Sequence, residues 1–319
     1  MFPHLPAFQA ANPELWRGRS DTVNAERYFQ NIQFVESEQE LISKEKKTVL
    51  IGFCSDVGIT RNLGRPGASL GPNAIKTQLA KLPFPNPKPL IDLGNMVCAD
   101  QNLETAQTQL AQAIHFCHQQ GHNTIVLGGG HEVAWGHFQG LTNHYPKLGI
   151  INFDAHFDLR PFHPGEPGTS GTPFSQIANF CHSQQRPFQY CCIGIQKFGN
   201  TPALFAKARE LKVNHLTAEE VFQTSLAWQT AFLDDFLLKV DHVYLTICLD
   251  VFAESAAPGV SAPQALGLNP WQVLPLLKYI MQSGKVVSFD IAELSPPLDQ
   301  SEKTARLAAQ IIAELLDSK

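Results

Sequence analysis

Unbroken apolar runs alternate along this chain with stretches whose apolar residues recur every three or four positions. KTVLIGF (47–53) is continuously apolar and ends beside a glycine, which predicts a strand buried on both faces. ASLGPNAIKTQLAKL (68–82) has helical spacing. LETAQTQLAQAIHFCHQQG (103–121) repeats that spacing over a longer stretch, with Gly121 placed to close the helix. NTIVLGGG (123–130), LGIINFDAH (148–156), QYCCIGI (189–195), HVYLTICLDV (242–251) and KVVSFDIAEL (285–294) read as further strands. Helices are expected near 201–212 and 225–239, over NPWQVLPLLKYIMQSG (269–284) and over SEKTARLAAQIIAELLD (301–317). This alternation implies an α/β fold, a mostly parallel sheet covered by helices on both faces. The first 45 or so residues are polar and irregular and read as an extension packed on a single domain spanning 1–319.

Composition narrows the function classes. The 319 residues are 44% hydrophobic and 17% charged, enough apolar content for a large core and too much for disorder. A balance of 24 basic against 29 acidic side chains gives no electrostatic reason to expect nucleic acid as a partner. The start, MFPHLPAFQAANPELW, lacks the basic-then-apolar pattern of a secretory signal, and no run reaches the roughly 18 apolar residues of a membrane helix. The expectation is a soluble, cytoplasmic protein with a small-molecule partner, bound neither to membrane nor to nucleic acid. Cys54, Cys98, Cys117, Cys181, Cys191, Cys192 and Cys248 are odd in number and hold no CxxC pair. They read as reduced thiols, with Cys248 set apart by its position.

In a sheet of this kind ligands bind beyond the carboxyl ends of the strands. Four of the expected strands end in residues able to hold metal or charge. GGGHE (128–132) places His131 after three glycines, and DAHFD supplies Asp154, His156 and Asp158, which share one face if the backbone stays extended. CLD supplies Cys248 and Asp250; DIAE supplies Asp290 and Glu293. Each has a plainer reading alone: a capping histidine, a solvated salt-bridge loop, an ordinary ion-pair glutamate, or a glycine turn without Walker or GxGxxG spacing. Together they suit one or two divalent transition metals, because carboxylates buried directly after IINF would otherwise be uncompensated.

The same segments carry a family resemblance. GGGHE, DAHFDLRP, TSGTPF, CLDVFAESAAPGVSAPQALGL and SFDIAELSP resemble the ureohydrolase family of arginases and agmatinases. LWRGRSD near the start and GITRNLGRPGASLGPNAI (58–75) extend the likeness to nearly the whole chain. GGGHE in place of an arginase-like GGDHS, together with DAHFDLRP and APGVSAP, is most similar to the formimidoylglutamase branch. The resemblance implies a three-layer α/β/α sandwich around a mostly parallel eight-stranded sheet, a homo-oligomer, and a hydrolase of linear amidines carrying two Mn2+ per chain. His131, Asp154 and Asp158 would hold one ion and Asp154, His156 and Asp250 the other, with Cys248 at a position where the family has a second bridging aspartate.

The implied reaction is hydrolysis of N-formimidoyl-L-glutamate to L-glutamate and formamide by a hydroxide shared between the ions. Glu293 would orient the formimino group and Asp158 relay a proton to the departing nitrogen. Arg61, Asn62, Arg65 and Arg160 flank the motifs and are expected to meet the two carboxylates of the substrate. The arginase-like histidine after DAHxD is missing, with SGTPF in its place. Manganese prefers oxygen to sulfur, so Cys248 is expected to weaken the metal centre or shift it toward zinc or iron. Two alternatives stand beside this reading: an agmatinase-type hydrolase of guanidino substrates, and a non-catalytic homologue with an impaired metal site.

Overall fold

The computed structural model describes residues 5–318 apart from 22–23, 36 and 43–44, so those parts of the 1–45 extension, with 1–4, lie outside the described residues. Ten strands form one sheet: β1 (Phe8–Ala10), β2 (Ile32–Phe34), β3 (Thr48–Cys54), β4 (Leu90–Val97), β5 (Asn123–Gly128), β6 (Leu148–Phe153), β7 (Gln189–Ile195), β8 (Asn214–Thr217), β9 (His242–Cys248) and β10 (Val286–Ala292). Eight of them lie in the order β4-β3-β5-β10-β9-β6-β7-β8, every pair parallel. This is the expected eight-stranded core. Two three-residue strands from the N-terminal segment lengthen it, β1 antiparallel and β2 parallel along the outer edge of β4. That segment, read as irregular from its polar composition, is therefore partly strand.

The side-chain period of two sorts each strand's apolar residues between two cores. Leu50 of β3, Ile151 of β6 and Phe289 of β10 face one of them, with helices Gly71–Lys81, Leu226–Leu237, Pro270–Gln282 and Lys303–Asp317. Val49, Ile51 and Phe53 of β3 face the other, with helices Leu103–Gln119, Val133–Thr142 and Pro173–Ser183. Strands buried on both sides must be apolar without alternation, which is why the sequence marked them so clearly.

β4 was not legible in that pattern, because Asp92, Gly94 and Asn95 interrupt it. The interruption is matched by tertiary partners. Lys76 is fully buried and donates through Nζ to Asp92 Oδ1 at 2.6 Å and to Asn95 Oδ1 at 3.0 Å. The indole of Trp16 donates to Asp92 Oδ2 at 2.8 Å, fastening the N-terminal segment to the sheet edge. Helix Val133–Thr142 was also missed, and its two glycines explain why: a Cβ at Gly136 would stand 2.8 Å from Gln107 O, and one at Gly140 would stand 2.7 Å from Ile114 Cβ. Both permit a close crossing onto helix Leu103–Gln119.

The topology has one consequence for chemistry. β5, β10, β9 and β6 are neighbours at the centre of the sheet. The four strand ends singled out for their polar residues thus stand side by side at the carboxyl edge. Among the described residues, no helix is long and apolar enough to cross a membrane.

Candidate metal centre

Cys248 is the last residue of β9, whereas His131, Asp154, His156, Asp158, Asp250 and Glu293 lie just beyond their strands, on the segments that follow. β6 ends at Phe153 and the backbone then turns, reaching a left-handed conformation at Asp158 (φ 48°). Their spacing led to the expectation that Asp154, His156 and Asp158 share a face by strand alternation, and the turn after Phe153 overturns it. The chain folds around Asp154 instead, whose Oδ1 accepts the His156 backbone N–H at 2.7 Å. β10 likewise ends at Ala292, and Glu293 adopts φ 75°. Non-glycine residues in this region carry backbone strain, and two of them fall at the same small site.

The donors converge closely. His131 Nδ1 lies 3.0 Å from Asp154 Oδ2 and 2.9 Å from Asp158 Oδ2. It is fully buried, yet neither contact has hydrogen-bond geometry. A nitrogen and two carboxylate oxygens are aimed at a common point, the arrangement a cation requires. On the other side His156 Nδ1 stands 3.1 Å from Asp250 Oδ2 and 3.6 Å from Asp154 Oδ1. The donor atoms of His131, Asp154 and Cys248 lie within 4.8 Å of one another, as do those of Asp154, His156 and Asp250. Asp154 belongs to both groups. Cys248 joins the first, and the second closes without it. These residues fit a pair of divalent metals sharing one carboxylate.

The electrostatics agree with that fit. Burial opposes charge on His131, but Asp154 and Asp158 outweigh it and lift the imidazole pKa well above its ordinary value. His156 is lifted in the same way, against burial, by Asp250 and Asp154. Burial also opposes ionisation of Asp154, yet His131 and His156 hold it well below the usual carboxylate range. Asp158 goes the other way, pushed up to about 6 by burial and then by the charge of Asp154. Burial, followed by Asp154 and Asp250, raises the Cys248 thiol far above its ordinary value, so thiolate forms there only with a cation beside it.

A cavity of about 420 Å³ opens above these groups, lined among others by His131, His156, Asp158, Cys248, Asp250 and Glu293. Glu293 Oε1 accepts the His131 backbone N–H at 2.8 Å. Asn62 lines the cavity and donates to Ser170 Oγ at 3.2 Å, within the segment standing where an arginase-like histidine is missing. Arg65 and Arg160 stand exposed at the rim. Arg65 is braced by the carbonyls of Ser261 and Val260, and Arg160 packs where a Cβ at Gly171 would come within 2.7 Å of its Cδ.

Arg61 departs from expectation. Its guanidinium turns away from the cavity and pairs with Glu104 at 2.5 Å while also donating to Gly168 O. The remaining cysteines are free thiols, buried except for half-buried Cys54 and Cys98. Three contributors were not singled out in the sequence. Asn152 donates to Asp154 Oδ2 at 3.0 Å, Thr246 meets His131 Nε2 at 3.0 Å, and buried Glu132 accepts from Ser55 Oγ and Gly58 N. The signal for the first two was a polar residue inside an otherwise apolar strand, IINF and VYLTIC.

A sequence profile of the arginase family matches residues 46–317. The chain belongs to the arginase family. Within it, formimidoylglutamases of Legionella pneumophila strains Paris and Lens are each 65% identical over the full length of both chains. One from Ralstonia nicotianae is 43% identical over 96% of each chain. Among solved structures, formimidoylglutamase from Bacillus subtilis superposes with a TM-score of 0.82, at 24% identity and 93% coverage of each chain, a likeness of fold. A variant of Trypanosoma cruzi formiminoglutamase with Mn2+ gives a TM-score of 0.77 at 25% identity, covering 88% of this chain and 97% of that one. The arginase-family resemblance read from the motifs, and its formimidoylglutamase branch, are thereby borne out.

Proposed function

We propose that this arginase-family hydrolase converts N-formimidoyl-L-glutamate and water to L-glutamate and formamide. The observation carrying the reading is the pair of donor groups that share Asp154 beneath a cavity with two arginines at its mouth. The substrate is taken from the full-length relatives, which bear the name of that activity. Manganese is the ion we assign, following the Trypanosoma cruzi relative solved with it.

His131, Asp154, Asp158 and Cys248 would hold one ion, and Asp154, His156 and Asp250 the other. When bound, such a pair lowers the pKa of a water so that hydroxide is available near neutral pH. The remaining work belongs to the chain. Glu293, anchored by the His131 N–H, faces the cationic formimino group and orients its carbon. Burial, then Glu132 and Asp250, raises the pKa of Glu293 well above its ordinary value, so a cationic substrate is the partner that favours its ionised form. Asp158, at the cavity floor beside His131, would take the proton that the attacking water gives up and deliver it to the departing nitrogen of glutamate. Arg65 and Arg160 pair with the substrate carboxylates.

The test is product analysis on purified protein supplied with Mn2+. Formamide and glutamate should form in equal amounts from N-formimidoyl-L-glutamate, with no urea from agmatine or arginine. Urea release from a guanidino compound instead, or binding without turnover, would replace this reading with one of its alternatives.

A further inference from the structure

Asp290 lies within β10, two residues before its end, and does not line the cavity. It lies one layer behind, fully buried, and three donors meet its two oxygens. Thr246 Oγ1 donates to Oδ1 at 2.6 Å, His137 Nδ1 meets Oδ2 at 2.7 Å, and the Tyr244 hydroxyl donates to Oδ2. Surrounded by donors, the carboxylate is an acceptor only. Thr246 has a single hydroxyl proton and commits it to Asp290. Its oxygen can therefore only accept from its other neighbour, His131 Nε2, at 3.0 Å. That direction puts a proton on Nε2 and leaves Nδ1, beside Asp154 and Asp158, as the nitrogen that can take a cation in place of a proton.

From this geometry we infer that Thr246 and Asp290 are positioning residues, a hydrogen-bonded pair that fixes the orientation of His131 so that Nδ1 is presented for metal. His137 and Tyr244, in turn, hold Asp290. His137 Nε2 extends the chain to Ser288 Oγ at 2.5 Å, and Ser288 contacts Thr124 Oγ1 at 2.6 Å, so the support is anchored across β10 and β5. A carboxylate acting through a hydroxyl on the far nitrogen of a ligating histidine raises its basicity and restricts its ring. The inference rests on the reading of His131 as a metal ligand.

The experiment titrates Mn2+ into chelator-stripped full-length protein by calorimetry, comparing wild type with Thr246→Val, Thr246→Ser and His131→Ala. Valine keeps the shape of threonine and removes the hydroxyl; serine keeps the hydroxyl and removes a methyl. Positioning by hydrogen bond requires Val to lose at least about tenfold in metal affinity while Ser stays within about threefold of wild type. A packing role would give the reverse order, with Val tolerated and Ser impaired, and would overturn the inference. So would equal affinities in all three. Thermal melts of the stripped proteins report folding, and if Val fails to fold, Asp290→Asn replaces it and should lose affinity to the same degree. Undiminished affinity in His131→Ala, or no binding by wild type, would defeat the metal-ligand reading itself. Loss in His131→Ala with no loss in Thr246→Val defeats the positioning role alone.

Discussion

At Cys248 a sulfur stands where the family resemblance places a second bridging carboxylate. Its donor atom groups with His131 and Asp154, whereas Asp154, His156 and Asp250 close their own group without it. A single soft sulfur there disfavours manganese relative to zinc. Cys248→Asp is expected to tighten Mn2+ binding at least tenfold relative to Zn2+, measured by competition titration; an unchanged preference would mean the thiol takes no part. The rim arginines make a separate prediction. Arg65→Ala and Arg160→Ala should each raise KM about tenfold or more with little change in kcat, because each would remove a proposed charge-assisted contact distant from the reacting carbon.

Glu132 shows how a residue of the distinguishing motif acts on stability. Burial lifts its pKa from 4.5 to about 7. Below pH 4.5 the folded and unfolded chains both keep the proton, and Glu132 contributes nothing to pH dependence. Between 4.5 and 7 the unfolded chain releases it first, so stability falls as pH rises, by roughly 3 kcal/mol at completion. Glu132→Gln keeps an acceptor for Ser55 and Gly58 and abolishes the titration. The metal-free variant should therefore lose less stability than wild type between pH 5 and 8 in urea unfolding. Equal slopes for the two proteins would show that Glu132 is already ionised at neutral pH.

At the scale of elements, strands buried on both faces were legible because double burial demands unbroken apolar sequence, as in LGIINF and HVYLTIC. β4 was not, because its Asp92 is tolerable only through Lys76 and Trp16, 16 and 76 residues away along the chain. No local window contains that compensation. Lys76→Met should cost about 3–5 kcal/mol by leaving Asp92 buried without a counter-charge. Trp16→Phe should cost about 1–2 kcal/mol by deleting one donor. Urea denaturation checks both, and a larger loss from Trp16 than from Lys76 would contradict this account of the sheet edge. The loops after the strands were half legible. Their residue types announced a metal site, but the left-handed turns at Asp158 and Glu293 come from the assembled backbone, not from any glycine in the sequence.

Across the whole molecule, function depends on which strands become neighbours. His131, Asp154, Cys248 and Glu293 are far apart in the chain and meet because β9 and β10 insert between β5 and β6. Order along the sequence does not reveal order across the sheet, so the four polar ends could be grouped as a metal site by residue type and strand position, while their adjacency came only with the assembled sheet. The same limit applied to Arg61, whose partner Glu104 lies 43 residues on, at the start of helix Leu103–Gln119, and draws it out of the cavity. The support behind His131, running through Thr246 and Asp290 to His137, likewise crosses two strands and a helix. The candidate metal centre thus stands at the carboxyl edge of four neighbouring strands, on residues held from behind by a buried polar network.

The central claim is that the shared-Asp154 cluster holds divalent metal and that this metal supports hydrolysis of N-formimidoyl-L-glutamate. Its most direct test is formamide release by chelator-stripped protein during stepwise addition of Mn2+, for wild type and Asp154→Asn side by side. Wild type should start inactive, gain activity with added metal and saturate, while Asp154→Asn should remain at least a thousandfold lower throughout, as expected when a ligand shared by both donor groups is lost. Full activity in the stripped wild type, or metal-restored activity in Asp154→Asn, would contradict the account.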